Sequence, residues 1–178
     1  LPLLNGMFGF AIWDARRHSV FLARDRMGVK PLYYAQRGSR WYFASELKCL
    51  LTQPELRHDL ELDLDSLADF LRLSYIPRDR TSYRGIFKLL PGHSLLIEAE
   101  RSVNRQWWNL AECHDGVSGS HKSRQEQLEH LFSDAVRLRM RSDVPVASFL
   151  SGGLDSSLVT IVAQEQSSIP ISTFTLGF

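Results

Sequence analysis

The chain has 178 residues, 44% of them hydrophobic and 23% charged, with a formal net charge of +1. That is the composition of a soluble globular protein of one domain or two small ones, and its charge gives no electrostatic case for a nucleic-acid or membrane partner. No run approaches the roughly 18 consecutive apolar residues of a membrane span, and the start, LPLLNGMFGF, lacks the basic region and cleavage site of a signal peptide.

These features predict a cytoplasmic protein. Cys49 and Cys113 are the only cysteines and are not in metal or redox spacing. Cys49, inside the apolar run ELKCLL, is expected to be a buried thiol, and Cys113 an exposed one. The six histidines form no pair at metal-binding spacing. The first residue is Leu1 and the last run, ISTFTLGF, stops within a strand pattern, so the chain reads as an internal piece of a longer protein.

In chain order, residues 7–14 and 19–25 are β-rich runs around the polar ARRH, which predicts a hairpin. PLYYA and RWYFAS predict two more strands around a turn at Gly38. A helix is expected over 65–76, with Leu64, Leu67, Ala68 and Leu71 on one face, Asp65 as cap and Pro77 beyond its end. A loop-rich stretch follows, then the strand run SLLIEA. Residues 111–122 lack apolar periodicity and are the best linker candidate. This divides the chain into 1–110 and 123–178.

The second part opens on a helix. Ser123 and Glu126 have capping-box spacing, and Leu128, Leu131, Phe132, Ala135 and Val136 recur on one face. Arg137, Arg139 and Arg141 gather in its last turns as a solvated helix end that suits the dipole. VPVASFL (144–150) reads as a strand buried on both faces. A glycine turn, a helix over 155–166 and the strand run at 171–178 complete a βαβ unit.

That turn, SGGLDSS (151–157), carries the chemistry. A helix N-terminus after a buried strand offers unpaired N–H groups and partial positive charge. Gly152 and Gly153 allow close approach of an anion, and Ser151, Ser156 and Ser157 add hydroxyl donors. Asp155 is placed to help hold Mg²⁺. The pattern lacks the lysine of a Walker loop. The bland alternative is a Gly/Ser helix cap with no ligand.

SGGLDSS resembles the PP-loop of ATP pyrophosphatases, which split ATP into AMP and pyrophosphate while adenylating a substrate. GMFGFAIWD, ARDRMGVKPLYY and FASELKCLL resemble the later strands of a class II, N-terminal-nucleophile glutaminase domain. GIFKLLPGHSLLI, QWW and SDVPVASFLSGGLDSSLV are similar to the junction and synthetase start of glutamine-hydrolysing asparagine synthetases. The resemblance implies an α+β glutaminase portion with antiparallel sheets, followed by the start of an α/β, parallel-sheet synthetase domain. It further implies glutamine, aspartate and ATP as substrates, Mg²⁺ as cofactor, and a homodimer as one possible assembly.

On the same ground Leu150, Ser151, Gly152, Gly153, Asp155, Ser156, Ser157 and Leu176 are expected to bind the nucleotide. The family's nucleophile is an N-terminal cysteine. Nothing here matches it, so no catalytic residue is assigned and the 178 residues alone are expected to be inactive. Arg24, Asp25, Gly28, Lys30, Ser45 and Glu46 match family positions that read as scaffold, with Lys30 and Glu46 as a candidate ion pair. Leu90 and Trp107 depart from the family's usual proline and tyrosine. Two other readings stand beside the leading one: amidation of a different carboxylate, or a degenerate homologue that only binds.

Overall fold

The structure is a computed structural model that describes residues 1–99, 101–113 and 119–177. It divides into two compact units, Leu1–His114 and Asp115–Phe178. Of the expected linker, residues 114–118 lie outside the described residues. Leu110–Glu112 form a single 3₁₀ turn capped by the Asn109 side chain.

The first unit is built on two antiparallel sheets. β1 (Gly9–Asp14), β2 (Ser19–Arg24), β6 (His93–Ile97) and β7 (Ser102–Gln106) form one, in the order β1-β2-β6-β7. The other contains β3 (Tyr33–Arg37), β4 (Arg40–Ala44) and β5 (Ile86–Lys88), in the order β4-β3-β5. Alternation along the strands sorts their side chains. Leu22, Leu95 and Ile97 from the first sheet pack with Leu32, Leu89, Tyr34 and Trp41, so the sheets lie face to face. Ala35, beside Tyr34, points to the opposite face. There, with Ile86, it packs on Leu50 of α1 (Leu47–Leu51) and Leu56 of α2 (Pro54–Arg57).

Several expectations change here. Cys49 lies on α1 but is exposed; Leu50 is the residue that helix buries. An apolar run on a short helix still has an outer side, and Cys49 falls on it. α3 (Leu64–Leu73) is capped by Asp63, not Asp65: the Asp63 carboxylate accepts the Ser66 N–H at 3.2 Å and its hydroxyl at 2.7 Å. The helix ends at Ser74, which turns into the left-handed region, before Pro77 is reached. Leu64 and Leu71 are exposed, so the apolar stripe of α3 lies outside the described core. Periodicity reports which face is apolar and says nothing of what covers it.

In the second unit α4 (His121–Arg139) is capped by Ser120, whose hydroxyl oxygen accepts the Ser123 N–H at 3.2 Å. Ser123 is therefore inside the helix. Phe132, Ala135 and Val136 line an apolar hollow of about 420 Å³ with Val159 and Ala163, whereas Leu128 and Leu131 are exposed. Arg137 pairs with Asp134 and Arg139 donates to the Ala135 carbonyl, so both are spent within the helix end. β8 (Ala147–Phe149), α5 (Leu154–Glu165) and β9 (Ser172–Phe174) make the βαβ unit, with the two strands parallel. Its strands are not covered on both faces. Phe149 is 81% exposed and meets Phe174 only at a tilt, with 6.3 Å between ring centroids.

Candidate functional site

The loop between β8 and α5 forms because the strand must reverse into a helix within a few residues. Gly152 makes the reversal at φ +79°, and a Cβ added there would meet nothing within 4 Å. Gly153 has ordinary extended φ (−77°) and is the N-cap of α5, so only Gly152 needs the left-handed region. No side chain caps the helix, and its first turn carries Asp155. The N–H groups of Leu154, Asp155 and Ser156 precede the first intrahelical bond, from Ser157 to the Gly153 carbonyl at 3.1 Å. They point outward with the positive end of the dipole.

The three serines converge on that turn. Ser156 Oγ donates to the Gly153 carbonyl at 3.1 Å and Ser157 Oγ to the same oxygen at 2.8 Å. Ser151 Oγ lies 3.0 Å from Ser156 Oγ, and each hydroxyl has one proton. With the Ser156 proton on Gly153, the proton between the two serines belongs to Ser151. The Gly153 N–H reaches Ser151 Oγ at 3.5 Å, and the Ser151 N–H reaches Ser156 Oγ at 3.3 Å. The hydroxyls thus close on the loop itself, while the backbone donors face out.

Leu150 and Leu176 sit past the C-terminal ends of the parallel strands. Leu150 donates its N–H to Phe174 at 2.9 Å and accepts from Thr175 Oγ1 at 2.7 Å; Leu176 is 82% exposed. Crevices beyond such strand ends are where open parallel sheets bind ligands. Asp155 is exposed, and among the described residues no group of three His, Cys, Asp or Glu comes together. A lone carboxylate fits Mg²⁺ that is otherwise held by substrate phosphates and water. Thr160, Ser148 and Thr175 were missed by sequence reasoning. Thr160 follows Ser156 by four residues, the spacing at which a threonine hydroxyl reaches back to a helix carbonyl.

The first unit holds a second charged turn. Asp25 is 2% exposed, and its carboxylate accepts N–H bonds from Phe8 (3.1 Å), Val29 (3.0 Å) and Lys30 (3.0 Å). Burial pushes the carboxyl up, but these N–H donors together hold it below its ordinary value. Arg24 donates to the carbonyls of Gly28 (2.6 Å), Leu89 (2.7 Å) and Lys30 (2.8 Å). These residues brace the turn. Lys30 uses its backbone here and does not pair with Glu46, whose partner is Lys48 at 2.6 Å. Lys48 stands two residues from Glu46 at the same helix start.

A sequence model of the glutamine amidotransferase domain matches residues 1–108. The chain belongs to that family. A second model, of asparagine synthase, matches residues 127–178, so the amidotransferase portion is followed by the start of a synthetase fold. Asparagine synthetase (glutamine-hydrolyzing) 3 of Bacillus subtilis is 36% identical to this amidotransferase chain over 98% of it and 29% of its own length. Asparagine synthetase (glutamine-hydrolyzing) 1 of the same organism is 35% identical over 98% and 27%. Amidase chyE of Penicillium rubens is 34% identical over 98% and 28%. The chain therefore spans under a third of the length of these curated relatives. Among the described residues, no helix is long and apolar enough to cross a membrane.

Proposed function

We propose that the protein carrying this chain is an ATP-dependent amidotransferase that converts aspartate to asparagine with ammonia from glutamine. The observation that carries the reading is the order of two unrelated family matches, with the SGGLDSS turn at the start of the second. The backbone donors at the head of α5 hold the pyrophosphate end of ATP, and the hydroxyls of Ser151, Ser156 and Ser157 turn from their partners within the loop to join them when it binds. Leu150 and Leu176 flank the nucleotide, and Gly152 leaves room for a phosphate against the main chain. Asp155 takes part in holding Mg²⁺, which when bound offsets phosphate charge. We place the reaction in the cytoplasm, with small-molecule substrates only.

The chemistry follows from what ammonia can attack. A carboxylate is inert toward an amine until one oxygen becomes part of a leaving group. The aspartate side-chain oxygen attacks the α-phosphorus, the bond to the β-phosphate oxygen breaks, and pyrophosphate departs. Ammonia then adds to the acyl carbon, loses a proton, and AMP leaves with the former carboxylate oxygen. The loop's part is to stabilise the pyrophosphate as negative charge collects on it, which is a task for oriented N–H groups.

A second reading keeps this chemistry and changes the acceptor. What leaves room for it is that a relative matching nearly all of the chain at 34% identity is not named an asparagine synthetase. Exchange of labelled pyrophosphate into ATP separates the two. With the full-length protein, exchange is expected to require aspartate. Exchange driven by another carboxylate and not by aspartate would replace the first reading with the second.

A further inference from the structure

Behind the loop, two hydroxyls join the strand to the helix. Ser148 is the middle residue of β8, and its Oγ lies 2.9 Å from Thr160 Oγ1 on α5. Thr160 Oγ1 in turn donates to the Ser156 carbonyl at 2.7 Å. Because the threonine hydroxyl has one proton, and that proton is on Ser156, Ser148 is the donor of the first bond. The result is a directed chain from the strand to the carbonyl of a loop serine. Both side chains are half-buried.

Ser156 and Ser157 bond only within the loop, and the other side-chain ties from this helix are at its far end. Gln164 binds Ile169 and Ile171, and Gln166 binds Ser133. At the loop end Thr160 is the side chain that fixes the helix to β8. A hydroxyl on the i−4 carbonyl also bends a helix locally, here in the turn that carries Ser156 and Ser157.

We propose that Thr160, backed by Ser148, is a positioning residue for the pyrophosphate loop. It sets the height and tilt of the first turn of α5 over the end of β8. The direction of the Ser156 hydroxyl and of the first-turn N–H groups follows from that tilt. Thr160 is not proposed to touch the nucleotide. The inference rests on the phosphate reading of the loop given above.

The test uses the full-length protein and three variants, Thr160→Val, Thr160→Ser and Ser156→Ala. Valine keeps the branched shape and loses both hydrogen bonds; serine keeps both. In ATP–pyrophosphate exchange, Thr160→Val should raise KM for ATP about tenfold, the equivalent of roughly one net hydrogen bond. Its kcat should stay within about twofold on that scale, and Thr160→Ser should restore KM. A merely structural role would lower kcat with the folded fraction and leave KM alone. An unchanged KM in Thr160→Val, or a Thr160→Ser variant with KM still raised, overturns the inference. If Thr160→Val does not fold, Ser148→Ala, which removes the strand tie and leaves Thr160 its bond to Ser156, takes its place: a raised KM for ATP supports the inference and an unchanged one overturns it. If Ser156→Ala leaves exchange at the wild-type rate, the phosphate reading itself has failed, which is a distinct outcome.

Discussion

Gly28 and Gly152 each turn the chain through the left-handed region, at φ +65° and +79°, beside an aspartate and within reach of a strand end. Around Gly28 the space is taken. A Cβ there would lie 2.7 Å from Pro91 Cγ and 3.1 Å from Arg24 Cζ. The guanidinium and carboxylate of Arg24 and Asp25 are bonded to the protein's own backbone. A Cβ at Gly152 would meet nothing within 4 Å, no side chain caps the helix, and the first-turn N–H groups face outward. Similar residue types make a brace in one unit and an open cradle in the other. What separates them is where the hydrogen bonds end.

The contrast can be broken first at Asp25. Asp25→Asn leaves three N–H donors facing an amide that can accept far less, in a site closed to water. A loss of about 3 kcal/mol is expected for the first unit. Urea titration followed by tryptophan emission reads it, since Trp13, Trp41, Trp107 and Trp108 all precede residue 109. The same variant carries a pH signature. The folded carboxyl titrates below its usual value, so its stabilisation is complete above about pH 4, the unfolded value. It is lost as the pH falls through the lower folded value. The gap between wild type and Asp25→Asn should therefore hold from pH 7 to about 5 and close only below about 4.

Next come the glycines themselves. Gly28→Ala adds a steric clash to backbone strain and should cost more than about 2 kcal/mol in the same titration. Gly152→Ala meets open space and should cost only the strain, about 1 kcal/mol in the second unit, by amide hydrogen exchange of α5. Equal costs at the two positions would erase the distinction between brace and cradle.

How much of this was legible in the sequence varies by feature. The first hairpin and the aromatic pair β3–β4 follow from alternation and a turn residue, because each strand presents one face to a core. β7 did not: SVNRQ has no apolar alternation, and it exists because its backbone pairs with β6 at the sheet edge. The RDRMG turn was readable as a glycine turn, but its partners Phe8 and Leu89 lie 17 and 65 residues away, and no local rule reaches them. The expected Lys30–Glu46 pair failed because charge alone does not set geometry when Lys48 stands nearer. At the loop, the glycine reversal and the helix start were legible because they are local. The Ser148–Thr160 tie was not, since strand and helix meet only in three dimensions.

The cradle at Gly152 is tested most directly by Ser156→Ala in the full-length protein, assayed for aspartate-dependent ATP–pyrophosphate exchange and for glutamine hydrolysis in parallel. The account expects exchange to fall at least about 100-fold, as when a hydroxyl that turns to developing charge is removed, with glutamine hydrolysis largely intact. Exchange near the wild-type rate would contradict it.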